Sequence, residues 1–542
     1  MALVKIPFEK GIFFSPETSA MVPEGFFPDI VNLTLDEDNV LRKRFNVEQT
    51  IYQTNTLNAG SSTFYASGYD TSCYTILGTG TNSLAAAIWF NLNDSGGAKI
   101  IAVNKVSGAS ADSASFPFNY AAPCFTEYNS IIYASNLTTG VRKITALNFG
   151  TSAITETLVA ASPIMAGILT FKNRLFGWSG NRVYYTDVPA PGGLPEIWNV
   201  SANFFDIGSS RGTPIINNIL PVENRLFFFT DSGLFSVLIS GPANTWVQKS
   251  VDESIRVRDR YACLAHKNIM YFVDDQSIWA TNGVEFTDIG GPVKSLLDDI
   301  YSVNMRRRFR LFLYNNKLIF HARLKDLTSP GPTTYTFVCS MGVFKWTRIY
   351  FSLDATKIFS DIHMSINDIR TRAFPGSPES LVMLSFTDTT SSNRETLRVF
   401  RSEKGEGKDW DSILGSAEEW GIQFNLPLMD FGDPLQYKIL NFILIEVESP
   451  LMHTGSSAPQ TTTFQVSYYA DEQSLGPFNA QVQFNVLGQY NKGIVRIEGP
   501  SIAFKWIRTM FSCSLPMNIK AVYMDFENIG LIEPAAYTAP GV

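Results

Sequence analysis

An all-β fold is what this 542-residue sequence predicts: a six-bladed β-propeller with an N-terminal arm and hairpin and a C-terminal β-sandwich-like domain. Three observations carry that expectation. Apolar residues make up 45% of the chain, aromatics 13% and charged residues only 17%, enough to bury large cores and too few charges for a disordered tail. Helical 3.6-residue periodicity is scarce; instead, short runs of Val, Ile, Leu, Phe, Tyr and Thr are cut by Gly, Asn, Asp, Ser and Pro. Those runs also recur at a nearly constant step.

The repeat is anchored on an asparagine just before an apolar strand, at Asn129, Asn173, Asn224, Asn268 and Asn316, with steps of 44, 51, 44 and 48 residues. In each unit a turn and a second strand follow, as in Asp231-Ser232-Gly233 before Leu234-Phe235-Ser236-Val237. Another strand lies upstream, such as Ile215 to Ile219, and a fourth downstream, such as Val284 to Thr287 after the hairpin turn Asn282-Gly283. Four antiparallel strands per ~45 residues is the period of a propeller blade, and the step separates this reading from stacked sandwiches. A degenerate unit, Tyr74 to Leu77 with Ala87 to Phe90, brings the expected blades to six over residues 59–400. The last is expected to be enlarged, with Lys325 to Pro332 replacing its turn and its outer part running to Phe400.

Two flanks fall outside the repeat. Residues 1–58 carry a hairpin, Asn32 to Leu35 turning through Asp36 to Asn39 into Val40 to Arg44. Residues 401–542 open with the charged linker Lys404 to Lys408 and continue in long strands such as Lys438 to Glu448, whose partial alternation suits burial on both faces.

Net charge is −7, which argues against a dedicated duplex-DNA binder, whose affinity needs an excess of Lys and Arg to displace phosphate counterions. The five cysteines (Cys73, Cys124, Cys263, Cys339, Cys513) are scattered and never form a C-x-x-C pair, the pattern of buried thiols made in a reducing cytoplasm. Charges and Pro7 in the first ten residues leave no apolar stretch for a signal peptide, and nowhere do 18 apolar residues run together.

Chemical motifs are few. The four histidines (His266, His321, His363, His453) stand apart, so no metal site and no cofactor is expected. Gly208-Ser209-Ser210-Arg211-Gly212 fits the nucleophile-elbow pattern, but Thr213-Pro214 and a strand follow where a helix is required, which makes it a loop. Gly78 to Asn82 lacks the third glycine of a dinucleotide fingerprint, and Asp36, Asp38 and Asn39 lack the glycine and distal Glu of a calcium loop. No catalytic residue is assigned.

Basic residues do alternate at one position of the repeat. Arg256, Arg258 and Arg260 precede Asn268 by 12, 10 and 8 residues; Arg306 and Arg308 precede Asn316 by 10 and 8. Strand period two would put each set on one face, side by side in neighbouring blades. Such a patch would meet DNA or an acidic partner, or form a solvated rim paired with Asp252, Glu253 and Asp259.

The segments Asn224 to Phe235 (NRLFFFTDSGLF) and Ile269 to Gly283 (IMYFVDDQSIWATNG) resemble the tail nozzle proteins of short-tailed bacteriophages. The N-terminus is similar to the same family: Pro23-Glu24-Gly25, Asn32, the turn Asp36 to Asn39 and the basic stretch Arg42-Lys43-Arg44, although Asn39 replaces a turn glycine and Phe45-Asn46 replaces the end of Arg-x-Gly. The resemblance implies a virion protein made in the host cytoplasm, a homo-oligomeric, hexameric ring below the portal and adaptor proteins. It would extend the DNA channel, retain the genome, contact double-stranded DNA transiently at ejection, and carry tail fibre or needle proteins. Asn32, Arg42, Lys43 and Arg44 would lie at subunit or adaptor interfaces. An acidic tunnel lets DNA slide rather than stick. Rival expectations are a glycan-active propeller, hydrolase or lectin-like, for which Asp274, Asp275, Asp298 and Asp299 are the candidate carboxylates, and a cellular propeller scaffold.

Overall fold

The computed structural model describes residues 150–294 without a break and, within residues 2–148 and 297–530, the strands given below with some of the segments joining them. The chain is all-β, with many antiparallel sheets of four strands. Three such sheets follow one another in sequence, each a simple up-and-down meander. The first consists of Gly167–Phe171, Arg174–Ser179, Arg182–Tyr185 and Phe204–Asp206. The second consists of Ile216–Val222, Arg225–Thr230, Leu234–Leu238 and Gln248–Asp252. Cys263–His266, Ile269–Val273, Ile278–Thr281 and Phe286–Asp288 form the third.

At Asn129, Asn173, Asn224 and Asn268 the repeated asparagine lies in the hairpin between the first and second strands, and Asn316 lies outside the described residues. Lys172 and Asn173 (φ 45° and 59°) and Lys267 and Asn268 (φ 47° and 65°) are two-residue loops with both residues left-handed, the type I′ turn whose twist matches that of the flanking strands. Asparagine tolerates this backbone better than other non-glycine residues. Asn268→Gly should therefore leave stability unchanged or raise it, whereas Asn268→Val should lower it by about 1–2 kcal/mol in urea titrations, the cost of a left-handed β-branched residue.

On the N-terminal side, Cys124–Tyr128, Ile131–Asn136, Gly140–Asn148 and Ala153–Leu158 form a fourth meander. The strand Ala85–Leu92, expected to belong to a blade of its own, instead joins this sheet through Gly97–Asn104 and Ser110–Asp112. Tyr74 to Leu77 lie outside the described residues. On the other side, Met305–Tyr314, Lys317–Asp326, Thr333–Ser340 and Lys345–Ile349 complete a meander by themselves. The expected enlargement of that unit is in fact a separate sheet: Phe359–Ser365, Leu381–Thr389 and Arg394–Glu403, completed by Asn46–Gln53 from the N-terminal arm. A boundary at residue 58 or 400 thus divides strands that share hydrogen bonds, because ladder pairing is blind to distance along the chain.

The remaining N-terminal strands join the C-terminal ones. Asp29–Val31 lies between Lys345–Ile349, parallel to it, and Ile422–Asn425, antiparallel to it, fusing the 305–349 meander with Ile507–Cys513, Gln460–Ala470 and Gln473–Phe484 into a nine-stranded sheet. A seven-stranded sheet carries Leu33–Leu35, Leu41–Lys43, Asn518–Gly530, Tyr437–Ser449 and Asn491–Glu498 in that order, with Ala2–Ile6 also on Asn518–Gly530. The largest core lies where these meet, and includes Phe8, Phe27 and Leu33 with Phe272, Phe320, Trp346, Phe424 and Phe511. A second core, with Phe176, Trp178, Phe228 and Phe235, fills the space between the 167–206 and 216–252 sheets.

Candidate functional site

Neighbouring meanders are tied by polar side chains. Thr126 Oγ1 lies 3.0 Å from Thr170 Oγ1, Asn217 donates to the carbonyl of Val257 (2.7 Å), and Asn218 donates to that of Arg260 (2.8 Å). The last two bonds pin the segment joining Gln248–Asp252 to Cys263–His266, which carries the sequence-predicted arginines.

That segment is not a strand. Residues 255–258 belong to no strand, yet their side chains still alternate: Ile255 and Val257 are buried, Arg256 and Arg258 exposed. The two apolar anchors therefore present both arginines on one side. Arg306 and Arg308 lie on Met305–Tyr314, opposite Lys325 and Arg323 respectively. The two groups come near each other through Asp259, whose carboxylate accepts the Phe309 N–H (3.0 Å), and through the Leu311 N–H, which donates to the Tyr261 carbonyl (2.9 Å). Arg260 turns away and donates to the carbonyl of Ala166. Arg310 is buried, its guanidinium 4.3 Å from the centre of the Tyr261 ring.

A pocket of about 210 Å³ lies between these elements, lined by Arg256, Arg258, Asp259, Asp274, Asp275 and Phe309. Two of its charges pair with each other, and Asp274 and Asp259 accept backbone N–H groups. Arg258 forms an ion pair with Asp275 at 2.6 Å. Asp274 is held in a turn, accepting the N–H groups of Gln276 and Ser277, both at 2.8 Å. Burial pushes the Asp274 carboxyl above the usual carboxylate range, opposed by these N–H donors. Asp298 and Asp299 lie outside the described residues. Because Arg258 is largely exposed, Arg258→Ala should change stability by no more than about 1 kcal/mol in urea titrations.

The N-terminal hairpin is docked inside the chain. Asn32 is buried and donates to the Gly421 carbonyl (2.8 Å). Thr34 accepts from Lys317 Nζ (2.6 Å), the Leu35 carbonyl from Ser340, and Asn39 from Lys345, all donors on the 305–349 meander. Arg42 is exposed and paired with Asp36; Lys43 pairs in register with Leu33, and Arg44 lies outside the described residues. Burial holds the Lys317 ammonium at a pKa of about 8, against the pull of Asp36 and with a push from Arg42. Since its unfolded value is higher (~10.4), the folded state binds fewer protons between these two pH values. Lys317→Met should therefore gain most over the native chain below pH 8, and the advantage should shrink as pH rises toward ~10, read from urea midpoints.

Sequence reasoning passed over Glu253 as a network centre. The Gly208 to Gly212 loop offers its two serines to that carboxylate: Ser210 donates to it, Ser209 does so at 3.4 Å, and Ser250 donates to its other oxygen at 3.2 Å. These bonds, that of Ser210 foremost, hold Glu253 below the usual range. Two serines 43 and 44 residues before a glutamate, one repeat away, were the available signal. Glu196 is a second case, accepting from the Tyr133 hydroxyl (2.8 Å) and pairing with Lys143 (2.9 Å). Among the described residues, no group of three or more His, Cys, Asp or Glu could hold a metal ion, the four described cysteines form no disulfide, and no helix is long and apolar enough to cross a membrane.

No family model matches the chain, and no curated protein matches it. Among solved structures, it is similar to YCF48 bound to D1 peptide at 9% identity, over 61% of this chain and 94% of the other, with a TM-score of 0.34. A quinonprotein alcohol dehydrogenase-like protein from Bacteroides thetaiotaomicron is similar at 10% identity over 52% of this chain and 66% of its own, with a TM-score of 0.32. The S. cerevisiae core factor is similar at 8% identity over 67% and 61%, with a TM-score of 0.33.

Proposed function

We propose that this chain is a structural virion protein, a subunit of the ring-shaped tail nozzle of a short-tailed bacteriophage. The observation that carries the reading is the resemblance of Asn224 to Phe235 and Ile269 to Gly283 to that family. It is supported by where these segments lie, across the second and third strands of two consecutive meanders that share the repeat. In this reading the meanders at 124–158, 167–206, 216–252, 263–288 and 305–349, with the sheet that Asn46–Gln53 completes, are six blades. Lending an early strand to the last sheet closes the circle and covers an open sheet edge. The C-terminal β-domain then includes the N-terminal hairpin, and the outer residue Arg42 is left for a neighbour or the adaptor.

Such a subunit does no bond chemistry. Asp274 in its turn and Asp275 in its ion pair are engaged structurally rather than posed as an acid and a nucleophile. The −7 charge suits a passage through which DNA slides. Electron microscopy of virions should place six copies in a ring between the portal-adaptor complex and the tail tip; a position in a fibre or the capsid shell would overturn the proposal. So would turnover of an aryl glycoside that is lost in Asp275→Asn.

A further inference from the structure

The strand Gln473–Phe484 ends the nine-stranded sheet. Among the described residues it pairs with Gln460–Ala470 on one side and shares no ladder on the other; Asn491–Glu498, next in the chain, belongs to the seven-stranded sheet. A register shift between Val466 and Tyr468 interrupts the ladder beside Gly476-Pro477. From Phe478 opposite Val466 to Phe484 opposite Gln460 it then runs through seven residues without a break.

An edge strand presents a row of N–H and C=O groups to any other strand, and proteins blunt such edges by shortness, charge, proline or cover. The last strands of the three consecutive meanders follow that rule. Phe204–Asp206, Gln248–Asp252 and Phe286–Asp288 have three, five and three residues, and each ends in an aspartate. Asn491–Glu498, at the edge of the seven-stranded sheet, carries Lys492, Arg496 and Glu498. Phe478 to Phe484 contains neither a charge nor a proline. Asn479 and Gln481 are exposed, while Phe478 and Ala480 are half-buried and pack against the largest core.

The order of residues along this edge fits one occupant. Phe-Asn-Ala-Gln-Val-Gln-Phe reads alike from both ends: aromatic, amide, aliphatic, amide, aliphatic, amide, aromatic. Laid antiparallel on the same segment of a second copy, with Gln481 opposite itself, it sets Phe478 opposite Phe484, Asn479 opposite Gln483 and Ala480 opposite Val482. Like meets like at every position. Aromatic pairs are among those that stabilise a ladder, and no charge opposes another. Self-complementarity about a twofold axis is the property of an isologous contact.

We propose that Phe478 to Phe484 is a homodimer contact, pairing antiparallel with the same segment of a second copy so that two nine-stranded sheets become one. The backbone ladder supplies hydrogen bonds, and the matched residues fix the register. The contact is independent of the nozzle reading: neighbours in a cyclic ring are not related by a twofold axis, so the dimer is a state of the free chain. Pairing covers an uncharged edge that would otherwise template aggregation.

Sedimentation of the full chain from ~1 to ~100 μM should show monomer passing reversibly into dimer. Gln481→Lys sets two ammonium groups opposite each other on the axis and should weaken the dimer about fivefold or more, with the thermal midpoint of the monomer unchanged because Gln481 is exposed. Gln481→Glu should do the same. An equimolar mixture of the two variants should recover the native affinity or exceed it, since only a residue on the axis meets its own counterpart. Three results would overturn the proposal: a native chain that stays monomeric throughout, or assembles into a ring that Gln481→Lys leaves intact; variants that dimerise as tightly as the native chain; or a mixture no tighter than either variant alone.

Discussion

Removal of residues 1–8 should unfold the C-terminal sheets rather than trim a loose arm. Ala2–Ile6 runs antiparallel along Asn518–Gly530, from Ala2 opposite Phe526 to Ile6 opposite Val522. Ile6 and Phe8 are buried in the largest core, at 6% and 3% exposure. Each is worth ~1.5–3 kcal/mol of burial, against a typical total of about 5–15 kcal/mol for a domain. The deletion also bares the N–H and C=O groups that faced Ala2–Ile6, an exposed strand edge prone to pairing with other chains. The truncated chain should show a much lower urea midpoint and light scattering at concentrations where the native chain is clear. An unchanged midpoint would mean that the strand is dispensable.

Trp346→Ala should be the most damaging single substitution. Its side chain is fully buried, and its indole N–H donates to the carbonyl of Ile289 at 2.6 Å, binding the 305–349 meander to the end of the one before it. Its backbone carbonyl accepts the Ile12 N–H at 2.9 Å, which brings the N-terminal segment to the same place. Gly11 makes this approach possible: at φ 76°, a Cβ there would stand 2.7 Å from that carbonyl oxygen. Loss of the ring should cost about 3–5 kcal/mol from the cavity, with a further ~1–3 kcal/mol for the stranded Ile289 carbonyl. Trp346→Phe keeps most of the volume and should lose mainly the hydrogen bond. Thermal midpoints of the two variants separate the contributions.

The legible part of the site was the alternation of Arg256 and Arg258. It survives without a ladder because Ile255 and Val257 are buried between them, so an apolar-polar pattern held even where the strand assignment did not. Arg258 pairing with Asp275 was not legible, since the expected partners Asp252, Glu253 and Asp259 were chosen by nearness in sequence and Asp275 is reached only through the fold. The alignment of strands on the nine-stranded sheet was equally hidden. Gln423, Ser512 and Gln465 are far apart in sequence, and only strand register sets them side by side.

The sequence alone determined that this protein is all-β and that four-stranded units recur along it. Those properties are local: β-branched and aromatic runs favour strands, and an asparagine that accepts a left-handed backbone closes a hairpin between neighbours a few residues apart. The tertiary structure alone decided that Ala2–Ile6 pairs with Asn518–Gly530, Asp29–Val31 with both Lys345–Ile349 and Ile422–Asn425, and Asn46–Gln53 with Arg394–Glu403. The backbone groups that form these ladders are the same in nearly every residue. The choice of partner therefore rests on which apolar faces can be buried together, and that is a property of the assembled core.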